Sequence, residues 1–462
     1  MKKVALHTLG CKLNFAETST IGRQFIDRGF EVVDFSQPSD VYLLNTCSVT
    51  ERTDTECRQI IRRVLRTAPD AYVVVMGCYA QLQPEEIAAI KGVDLVVGAQ
   101  EKFNIFQRAG DFTKRTVPQV FVSCIDEATE FDAAYSADVG GRTRAFLKIQ
   151  DGCDFTCAFC TIPLARGASR SQPISAILTQ AEQIVRHGYK EIVLTGVNVG
   201  DYGTKIGSSL FELMKELDKV RGVDRIRISS IEPNLLTKEM VDFVLSSEKF
   251  CNHFHIPLQS GSYTILKRMK RRYLTHHYRS LVEYIKGKDS DAAIGVDVIT
   301  GFPGETGKLF EETYVFMVDL PISYLHVFTY SERPNTPAAR FAGSVEPKVR
   351  FKRNEMLRHL SQKKRYAFYS SFAGRALPVL FEARLKGGRM SGLTKNYVRV
   401  ETPTDPSLVN EICAVKIVGI ENEICQGEIV HIHAIHPSEG EATTSHFAAM
   451  NSSIYSYAHS LT

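Results

Sequence analysis

The sequence has no long apolar run, no secretory leader and only a small excess of charge. Its longest apolar runs, such as residues 41–44 and 73–76, are far too short to cross a bilayer. The N-terminus leads directly into a strand-like segment without a cleavage signal. These absences predict a cytoplasmic protein with no membrane partner. The formal net charge of +4 is too small to indicate a polyanionic partner by itself.

The length and the cysteine content limit the organisation that can be expected. At 462 residues the chain is too long for one hydrophobic core, so two to four domains are expected. Internal repeats of solenoid length are absent, which excludes a repeat array. The 11 cysteines come without any sign of export. In a reducing compartment they are better interpreted as metal ligands or catalytic thiols than as disulfides.

The first part of the chain alternates strand and helix signals. Apolar segments at residues 4–9, 41–46, 72–76 and 94–97 predict strands, and amphipathic segments between them predict helices. Such alternation is typical of a parallel sheet with helices on both faces. We therefore predict a flavodoxin-like α/β domain over residues 1–115.

Two further domains are predicted after a linker at residues 116–141. The first, residues 142–372, is expected to be an open, partial (β/α)6 barrel, because six strand signals are too few for a closed eight-stranded barrel. These signals fall at residues 145–150, 191–195, 225–229, 253–258, 295–300 and 324–330. The second, residues 373–436, is expected to be a small antiparallel β-barrel with strands at 378–384, 389–400, 415–420 and 427–432. A tail at residues 437–462 suggests no function.

A C-x3-C-x2-C motif at Cys153, Cys157 and Cys160 is the sharpest chemical signal. Three thiolates at this spacing can hold a 4Fe–4S cluster and leave one iron open, which is the mark of a catalytic site. A zinc ribbon is the alternative, but it needs a second C-x2-C pair, which the sequence lacks. The motif, with Phe159 before its last cysteine, resembles the signature of the radical S-adenosylmethionine (AdoMet) superfamily. That resemblance implies that the open iron binds AdoMet and cleaves it to a deoxyadenosyl radical.

A second set of cysteines shares a topological position. Cys11, Cys47 and Cys78 each follow one of the first three predicted strands. Because the carboxyl ends of parallel strands meet at one edge of a sheet, the three thiols are expected to converge there. Gly10 and Gly77 are expected to allow close approach of the backbone. Three buried core cysteines are the alternative to a second cluster.

Motifs along residues 1–435 resemble those of the methylthiotransferase family. They are Leu-Gly-Cys-Lys-Leu-Asn at 9–14, Asn-Thr-Cys-Ser-Val-Thr at 45–50, Met-Gly-Cys-Tyr-Ala-Gln at 76–81, Cys-Thr-Ile-Pro-Leu-Ala-Arg-Gly at 160–167, Thr-Gly-Val-Asn at 195–198 and Gly-Phe-Pro-Gly-Glu-Thr at 301–306. The resemblance implies that Cys11, Cys47 and Cys78 hold an auxiliary 4Fe–4S cluster that carries sulfur. It also implies a radical AdoMet barrel, an RNA-binding TRAM barrel, and two AdoMet molecules consumed per turnover.

Polar and glycine residues at the predicted barrel strand ends are candidates for binding AdoMet. They are Thr195, Gly196, Asn198, Ser230, Glu232, Gln259, Asp297 and Gly301. Arg166 and Arg170 follow the cluster motif and could pair with the AdoMet carboxylate or with an RNA phosphate. Each of these residues could instead be an ordinary polar loop residue or strand cap.

A basic segment with interleaved aromatics points to RNA. Residues 348–375 contain nine Lys or Arg and one acid, and they include Lys364 and Arg365 as candidate substrate ligands. Residues 267–272 form a second basic cluster. A solvated helix face is the alternative interpretation. The small barrel that follows favours RNA.

The resemblance also suggests the substrate. Lys12 and Asn14 around Cys11, and Ser-Val-Thr after Cys47, resemble the branch that acts on threonylcarbamoyladenosine at tRNA position 37. We therefore predict methylthiolation of carbon 2 of that base, with tRNA, an unidentified electron donor and an unidentified sulfur source as partners. The alternatives are isopentenyladenosine in tRNA and an aspartate of a ribosomal protein. A non-catalytic iron–sulfur protein that binds RNA is more remote.

Overall fold

The computed structural model describes residues 1–137 and 143–431, without the side chains of residues 384–386 and 431. The predicted tail at residues 437–462 lies outside this part. Within the described residues, no helix combines the length and the apolar character needed to cross a membrane.

A six-stranded parallel sheet forms the N-terminal domain, with strand order β2-β1-β3-β4-β5-β6. Its strands are β1 Lys3–Thr8, β2 Glu31–Val33, β3 Val41–Thr46, β4 Tyr72–Gly77, β5 Leu95–Val97 and β6 Gln119–Phe121. Its helices are α1 Lys12–Asp27, α2 Glu51–Thr67, α3 Cys78–Leu82, α4 Pro84–Ala88 and α5 Ile105–Ala109. Strands β3 and β4 are buried at every position, as expected where helices cover both faces.

The sheet has six strands, two more than the sequence predicts. Strands β2 and β6 are three residues each and form the two edges of the sheet, where partial exposure leaves no buried apolar run in the sequence. Strand β6 pairs in parallel with β5, so the sheet continues into the segment predicted as a linker at residues 116–141.

Six parallel strands form an open barrel in the order β7-β10-β11-β12-β13-β14. Hydrogen bonds divide them into two three-stranded sheets, which parallel bridges such as Ser230 to His255 join. The strands are β7 Arg144–Lys148, β10 Glu191–Thr195, β11 Arg225–Ile228, β12 His253–His255, β13 Ala293–Thr300 and β14 Tyr324–Thr329. The short pair β8 Gln150–Asp151 and β9 Arg170–Ser171 flanks the barrel. The predicted partial (β/α)6 barrel is confirmed.

Helices cover the outside of the open barrel and supply its main core. They are α6 Ile162–Arg166, α7 Ile174–Arg186, α8 Leu210–Asp218, α9 Lys238–Ser246, α10 Tyr263–Arg268, α11 Thr275–Lys288, α12 Gly307–Asp319 and α13 Pro347–Ser370. Apolar residues of α7, α8, α9 and α11 pack against the strands in one continuous cluster. The 24-residue helix α13 packs against β14 and leads into the last domain.

A closed five-stranded barrel ends the described chain, with order β15-β16-β17-β19-β18. Its strands are β15 Ala376–Lys386, β16 Arg389–Thr394, β17 Arg399–Pro403, β18 Ile412–Glu421 and β19 Ile424–His431. The small barrel is confirmed, but two details of its prediction were wrong. Residues 389–400 form two strands with a turn between them, because Tyr397 adopts a φ of +65° that no strand allows. Strands β17 and β19 pair in parallel rather than antiparallel.

Candidate iron–sulfur and AdoMet site

The register of the N-terminal sheet brings Cys11, Cys47 and Cys78 together. Thr8 pairs with Asn45 and Thr46 pairs with Gly77, so β1, β3 and β4 end at the same level. The three cysteines follow these ends, and their thiols interact electrostatically with one another. The three cysteines therefore converge at one edge of the sheet, as their positions after parallel strands predict.

Two glycines make this approach possible, as predicted. A Cβ on Gly10 would lie 2.5 Å from the Cβ of Cys47. A Cβ on Gly77 would lie 2.5 Å from the carbonyl oxygen of Thr46. Both glycines also have φ near +100°, a region that side chains rarely allow. The side-chain amide of Asn14 donates to the carbonyls of Leu9 and Thr46, which ties the two cysteine loops together.

Desolvation by the surrounding protein raises the pKa of two of these thiols, Cys47 and Cys11. It raises the pKa of Cys47 well above its usual value, and the neighbouring Cys78 and Cys11 add to the effect. Desolvation also raises the pKa of Cys11, although this residue is exposed, and Arg166 opposes the rise. The backbone N–H groups of Asn14 and Val49 oppose this rise in the pKa of Cys11 and Cys47 respectively. Hydrogen-bond donors near sulfur stabilise the thiolate form. When a metal binds, the thiols lose their protons, and these donors stabilise the resulting thiolates.

The C-x3-C-x2-C loop follows β8 and is pinned at several points. The N–H of Cys153 donates to the carbonyl of Gly167, and that of Ala158 donates to Met269, each at 3.0 Å. Phe159 packs edge-on against Phe302 of the barrel, with ring centroids 6.4 Å apart. The loop is therefore fixed against the barrel, at the end where the strands finish.

Two cysteines of this loop have a raised pKa, as Cys11 and Cys47 do in the N-terminal set. Burial raises the pKa of Cys153 to about 11 and that of Cys160 to about 12, with a smaller contribution from Cys157. The backbone N–H of Phe155 donates to the sulfur of Cys153 at 3.4 Å. Both sets thus contain thiols of raised pKa together with backbone N–H groups close to sulfur.

The spacing of the sulfurs argues against a single zinc ion at either set. Tetrahedral Zn–S bonds of about 2.3 Å hold their sulfurs less than about 4 Å apart. Over residues 1–137 and 143–431, only His255, Asp297 and His326 bring three ligand atoms within 4.8 Å of one another. Neither set of cysteines is so close, so a cluster of several iron atoms fits them better.

Arg271 is a site residue that the sequence did not single out. It belongs to the basic cluster at residues 267–272, yet its side chain is 3% exposed. Its guanidinium donates to the sulfur of Cys157 at 3.1 Å and pairs with Glu232. Glu232, predicted to bind AdoMet, therefore holds Arg271 against the cluster loop. Hydrogen bonds to sulfur help to set the potential of an iron–sulfur cluster.

The predicted AdoMet residues on β10 and β11 lie at the carboxyl ends of those strands. Asn198 is 3% exposed, yet neither its side-chain oxygen nor its nitrogen has a hydrogen-bond partner within the described part of the chain. The hydroxyl of the neighbouring Ser229 is unpartnered in the same sense. Buried polar groups rarely stay unpaired, so these atoms fit a polar ligand such as AdoMet. Gly196 packs closely on Gln150, and the hydroxyl of Thr195 donates to Val193.

The remaining predicted AdoMet residues lie further round the barrel. Ser230 is half-buried and its backbone pairs with His255. Gln259 has a φ of +73°, a strained conformation that is common at functional sites. Asp297 lies inside the barrel, 2.7 Å from the ring nitrogen of His255. Gly301 leaves room for Arg350, whose Cγ would lie 2.2 Å from an added Cβ.

Arg166 lies in a buried network between the first two domains. It is 2% exposed and pairs with Glu17 of α1 at 3.0 Å and with Asp151 at 2.9 Å. Lys102 and Lys148 also pair with Glu17. The guanidinium is therefore engaged by the protein rather than exposed to a phosphate, and it lies near the thiols of Cys11 and Cys78.

A second buried contact joins the same two domains. Arg333, which follows β14, donates to Ser48 at 2.6 Å and to Asp54 at 2.7 Å. Arg170, by contrast, is only partly buried and donates to the carbonyls of Ala168 and Arg166.

The basic helix α13 has an inner and an outer face. Lys364 donates to the carbonyls of Val318 and Leu320, and Arg365 pairs with Glu423 of the last barrel at 2.9 Å. These two predicted substrate ligands thus hold α13 in place. The outer face carries exposed side chains with no hydrogen bond or ion pair to any described residue, namely Lys348, Lys352, Arg358 and Lys363. Phe351 and Tyr366, each at least 60% exposed, lie on the same helix.

Two family descriptions match the chain. Residues 3–98 match "Uncharacterized protein family UPF0004", and residues 147–317 match the "Radical SAM superfamily". Among solved structures, the radical S-adenosylmethionine methyltransferase TsrM from Kitasatospora setae superposes with a TM-score of 0.53 at 15% identity. The match covers 73% of this chain and 75% of that one, and it supports the fold alone.

Curated relatives match almost the whole chain. The threonylcarbamoyladenosine tRNA methylthiotransferase MtaB of Bacillus subtilis is 41% identical, over 94% of this chain and 97% of the relative. The protein of that name in Aquifex aeolicus is 40% identical, over 86% and 96%. A tRNA-2-methylthio-N(6)-dimethylallyladenosine synthase of Methylobacillus flagellatus is 32% identical, over 93% and 99%. Together with the cysteine geometry, these matches show that the chain belongs to the methylthiotransferase family of radical AdoMet enzymes.

Proposed function

We propose that this enzyme methylthiolates carbon 2 of N6-threonylcarbamoyladenosine at position 37 of tRNA. The relatives at 40% and 41% identity carry the name of that activity, whereas the relative named for dimethylallyladenosine is 32% identical. Motif residues Lys12 and Asn14, which flank and follow Cys11, agree with the same branch. We also propose that the enzyme holds two clusters and that individual residues of the site have the roles given below.

The observation that carries the proposal is the pair of cysteine triads, each at the carboxyl ends of parallel strands. Cys153, Cys157 and Cys160 would hold one 4Fe–4S cluster, and the N-terminal triad would hold an auxiliary one. When bound, the first cluster supplies the electron that cleaves AdoMet, and the second carries the sulfur to be transferred. Each triad has a buried arginine beside it, Arg271 at Cys157 and Arg166 near Cys11. A positive charge next to thiolates favours the ligated form.

The barrel strand ends would hold AdoMet. Asn198 offers an unpaired amide oxygen and nitrogen, and Ser229 offers a hydroxyl, at the ends of adjacent strands. Amide and hydroxyl groups suit the amino acid and ribose parts of AdoMet. We assign Thr195, Gly196, Ser230, Gln259, Asp297 and Gly301 to the walls around them. Glu232 acts through Arg271 and is a positioning residue.

The outer face of α13 would bind the tRNA backbone. Exposed Lys348 and Lys352, one turn apart and flanking Phe351, supply unpaired cations beside an aromatic surface. Lys364 and Arg365 would position this helix. We assign RNA binding also to the C-terminal barrel. The proposed domain limits are 1–115, 142–372 and 373–436. The segment 116–141 connects the first two domains and contributes β6 to the first sheet.

Nucleoside mass spectrometry tests the proposal directly. Anaerobically reconstituted protein is incubated with AdoMet, a reductant and tRNA that carries threonylcarbamoyladenosine. The proposal predicts conversion of that nucleoside to its 2-methylthio derivative. A matched tRNA with isopentenyladenosine and an aspartate-bearing ribosomal peptide serve as controls. Release of deoxyadenosine without the predicted nucleoside, or product only on a control substrate, would show that the substrate assignment is wrong.

A further inference from the structure

Charged and aromatic side chains lie together inside the open barrel, near the end where β7 and β10 begin. Arg144, Glu191 and Arg227 point there from β7, β10 and β11, and Tyr397 enters from the turn of the C-terminal barrel. Tyr397 stacks on His253 with centroids 4.3 Å apart, and Arg227 lies over its ring. We call Arg144, Glu191, Arg227 and Tyr397 the lumen floor.

Lys12 extends from the N-terminal domain towards this floor. It is the first residue of α1 and directly follows Cys11. Helix α1 packs against β7, and Phe15, one turn after Lys12, contacts Phe146 of that strand edge-on with ring centroids 5.7 Å apart. This packing places Lys12 beside the barrel, with its ammonium in electrostatic range of Tyr397, Arg144, Arg227 and Glu191. The side chain is half-buried, so solvent and small solutes can still reach it.

The other charges of the lumen have partners. Arg227 pairs with Glu191 at 2.8 Å, and Arg144 pairs with Glu382 at 2.8 Å. Asp297 lies 2.7 Å from His255. The ammonium of Lys12 makes no hydrogen bond or ion pair with any described residue. A half-buried cation that has no ion-pair partner among the described residues is incompletely compensated, so the site is complementary to an anion.

We propose that Lys12 binds the carboxylate of the amino acid carried on N6 of the substrate adenosine, and that it thereby selects carboxylated over prenylated bases. The inference rests on the proposed function and deepens it. Cys11 and Lys12 are adjacent, with Cα atoms about 3.8 Å apart. A base that presents carbon 2 to sulfur held at Cys11 therefore has its N6 substituent within reach of the ammonium. The hydroxyl of Tyr397 offers a second polar group in the same space.

The substitution that tests this role removes the charge and keeps a polar, unbranched side chain that is one atom shorter. In Lys12→Gln, kcat/KM for RNA with threonylcarbamoyladenosine should fall about 10- to 100-fold, the range for a lost hydrogen bond to a charged group. Lys12→Arg keeps the charge and should retain most of the activity. Lys219→Gln, on the surface beside Glu216, is the matched control and should not differ from wild type.

A change in the substrate separates recognition from a structural effect. We would compare an anticodon stem-loop with threonylcarbamoyladenosine against one in which the carboxylate is a neutral amide. All proteins are full-length and reconstituted, and iron content is measured for each. Wild type should prefer the acid by about 10- to 100-fold, whereas Lys12→Gln should lose that preference.

Each outcome is decisive. Equal turnover of acid and amide by wild type would overturn the role of Lys12, even if the variant failed to assemble its clusters. An unchanged preference in Lys12→Gln would overturn it as well. If wild type methylthiolated neither stem-loop but accepted another RNA, the proposed function would fail, and this inference with it.

Discussion

Replacing Arg166 by methionine tests the buried network that joins the N-terminal domain to the barrel. The substitution keeps the volume and removes the charge. Three cations, Arg166, Lys102 and Lys148, contact two carboxylates, Glu17 and Asp151, and all five are at most 7% exposed. Burial alone would raise the pKa of Glu17, but the cations hold it below its usual value. The carboxylate is therefore charged and depends on them.

The expected loss in the free energy of unfolding depends on which buried charges each substitution leaves without a partner. Breaking a buried ion pair costs about 3–5 kcal/mol. Arg166→Met leaves two lysines for two carboxylates, so we expect a loss near the lower limit, about 3 kcal/mol. Glu17→Gln leaves three cations around Asp151 alone, so we expect a loss near the upper limit, about 5 kcal/mol. The order of the two losses is the sharper test.

Hydrogen exchange of the amides in α1 measures this loss locally, since a chain with several domains has no single unfolding free energy. A loss of about 3 kcal/mol corresponds to protection lowered by about 100-fold. Arg186→Met, which breaks an exposed pair with Glu182, is the matched control and should not change protection measurably. Equal exchange in the Arg166 and Arg186 variants, or a larger effect of Arg166→Met than of Glu17→Gln, would refute the reasoning.

Three further predictions concern other parts of the molecule. Asn198→Ala should weaken AdoMet binding about 5- to 100-fold without lowering thermal stability, because its side-chain amide has no hydrogen-bond partner among the described residues. Equilibrium dialysis and calorimetry measure the two effects, and a loss of stability alone would contradict the prediction. Lys348→Gln with Lys352→Gln should weaken tRNA binding and reduce its salt dependence, whereas Lys364→Gln should lower stability instead; filter binding at several salt concentrations distinguishes them. Burial, with a smaller contribution from a neighbouring histidine, lowers the pKa of His326 to about 4, so this residue stays neutral when folded and protonates more readily when unfolded. Stability should therefore fall as the pH drops from about 6.5 towards 4, and a denaturation series should show a smaller fall in His326→Gln.

The fold could be predicted wherever the sequence pattern is long. The buried strands β3 and β4 have enough consecutive apolar residues to be recognised, and the strands of the open barrel alternate with helical segments. The three-residue strands β2 and β6 lie near the sheet edges and leave no such pattern. The break between β16 and β17 was missed because tyrosine is a residue type that is enriched in strands. Only contacts in the folded structure hold the backbone of Tyr397 at a positive φ.

The cysteines of the candidate site were accessible from sequence, but the charged residues around them were not. Spacing identifies Cys153, Cys157 and Cys160, and topology places Cys11, Cys47 and Cys78. Arg166 and Arg271 look like surface cations in the sequence, because nothing local indicates which way a long side chain points. Their burial depends on partners distant in the chain, such as Glu17, 149 residues before Arg166. Such pairing becomes visible only in the folded structure.

The central claim is that two cysteine triads have separate tasks in one reaction. The most direct test measures released deoxyadenosine and 2-methylthio nucleoside in the same anaerobic reaction, for wild type, Cys157→Ala and Cys47→Ala. Iron content confirms that each variant keeps the cluster of its intact triad. Wild type should give both products, Cys157→Ala should give neither, and Cys47→Ala should give deoxyadenosine alone. Methylthio nucleoside formed by Cys47→Ala would contradict the account.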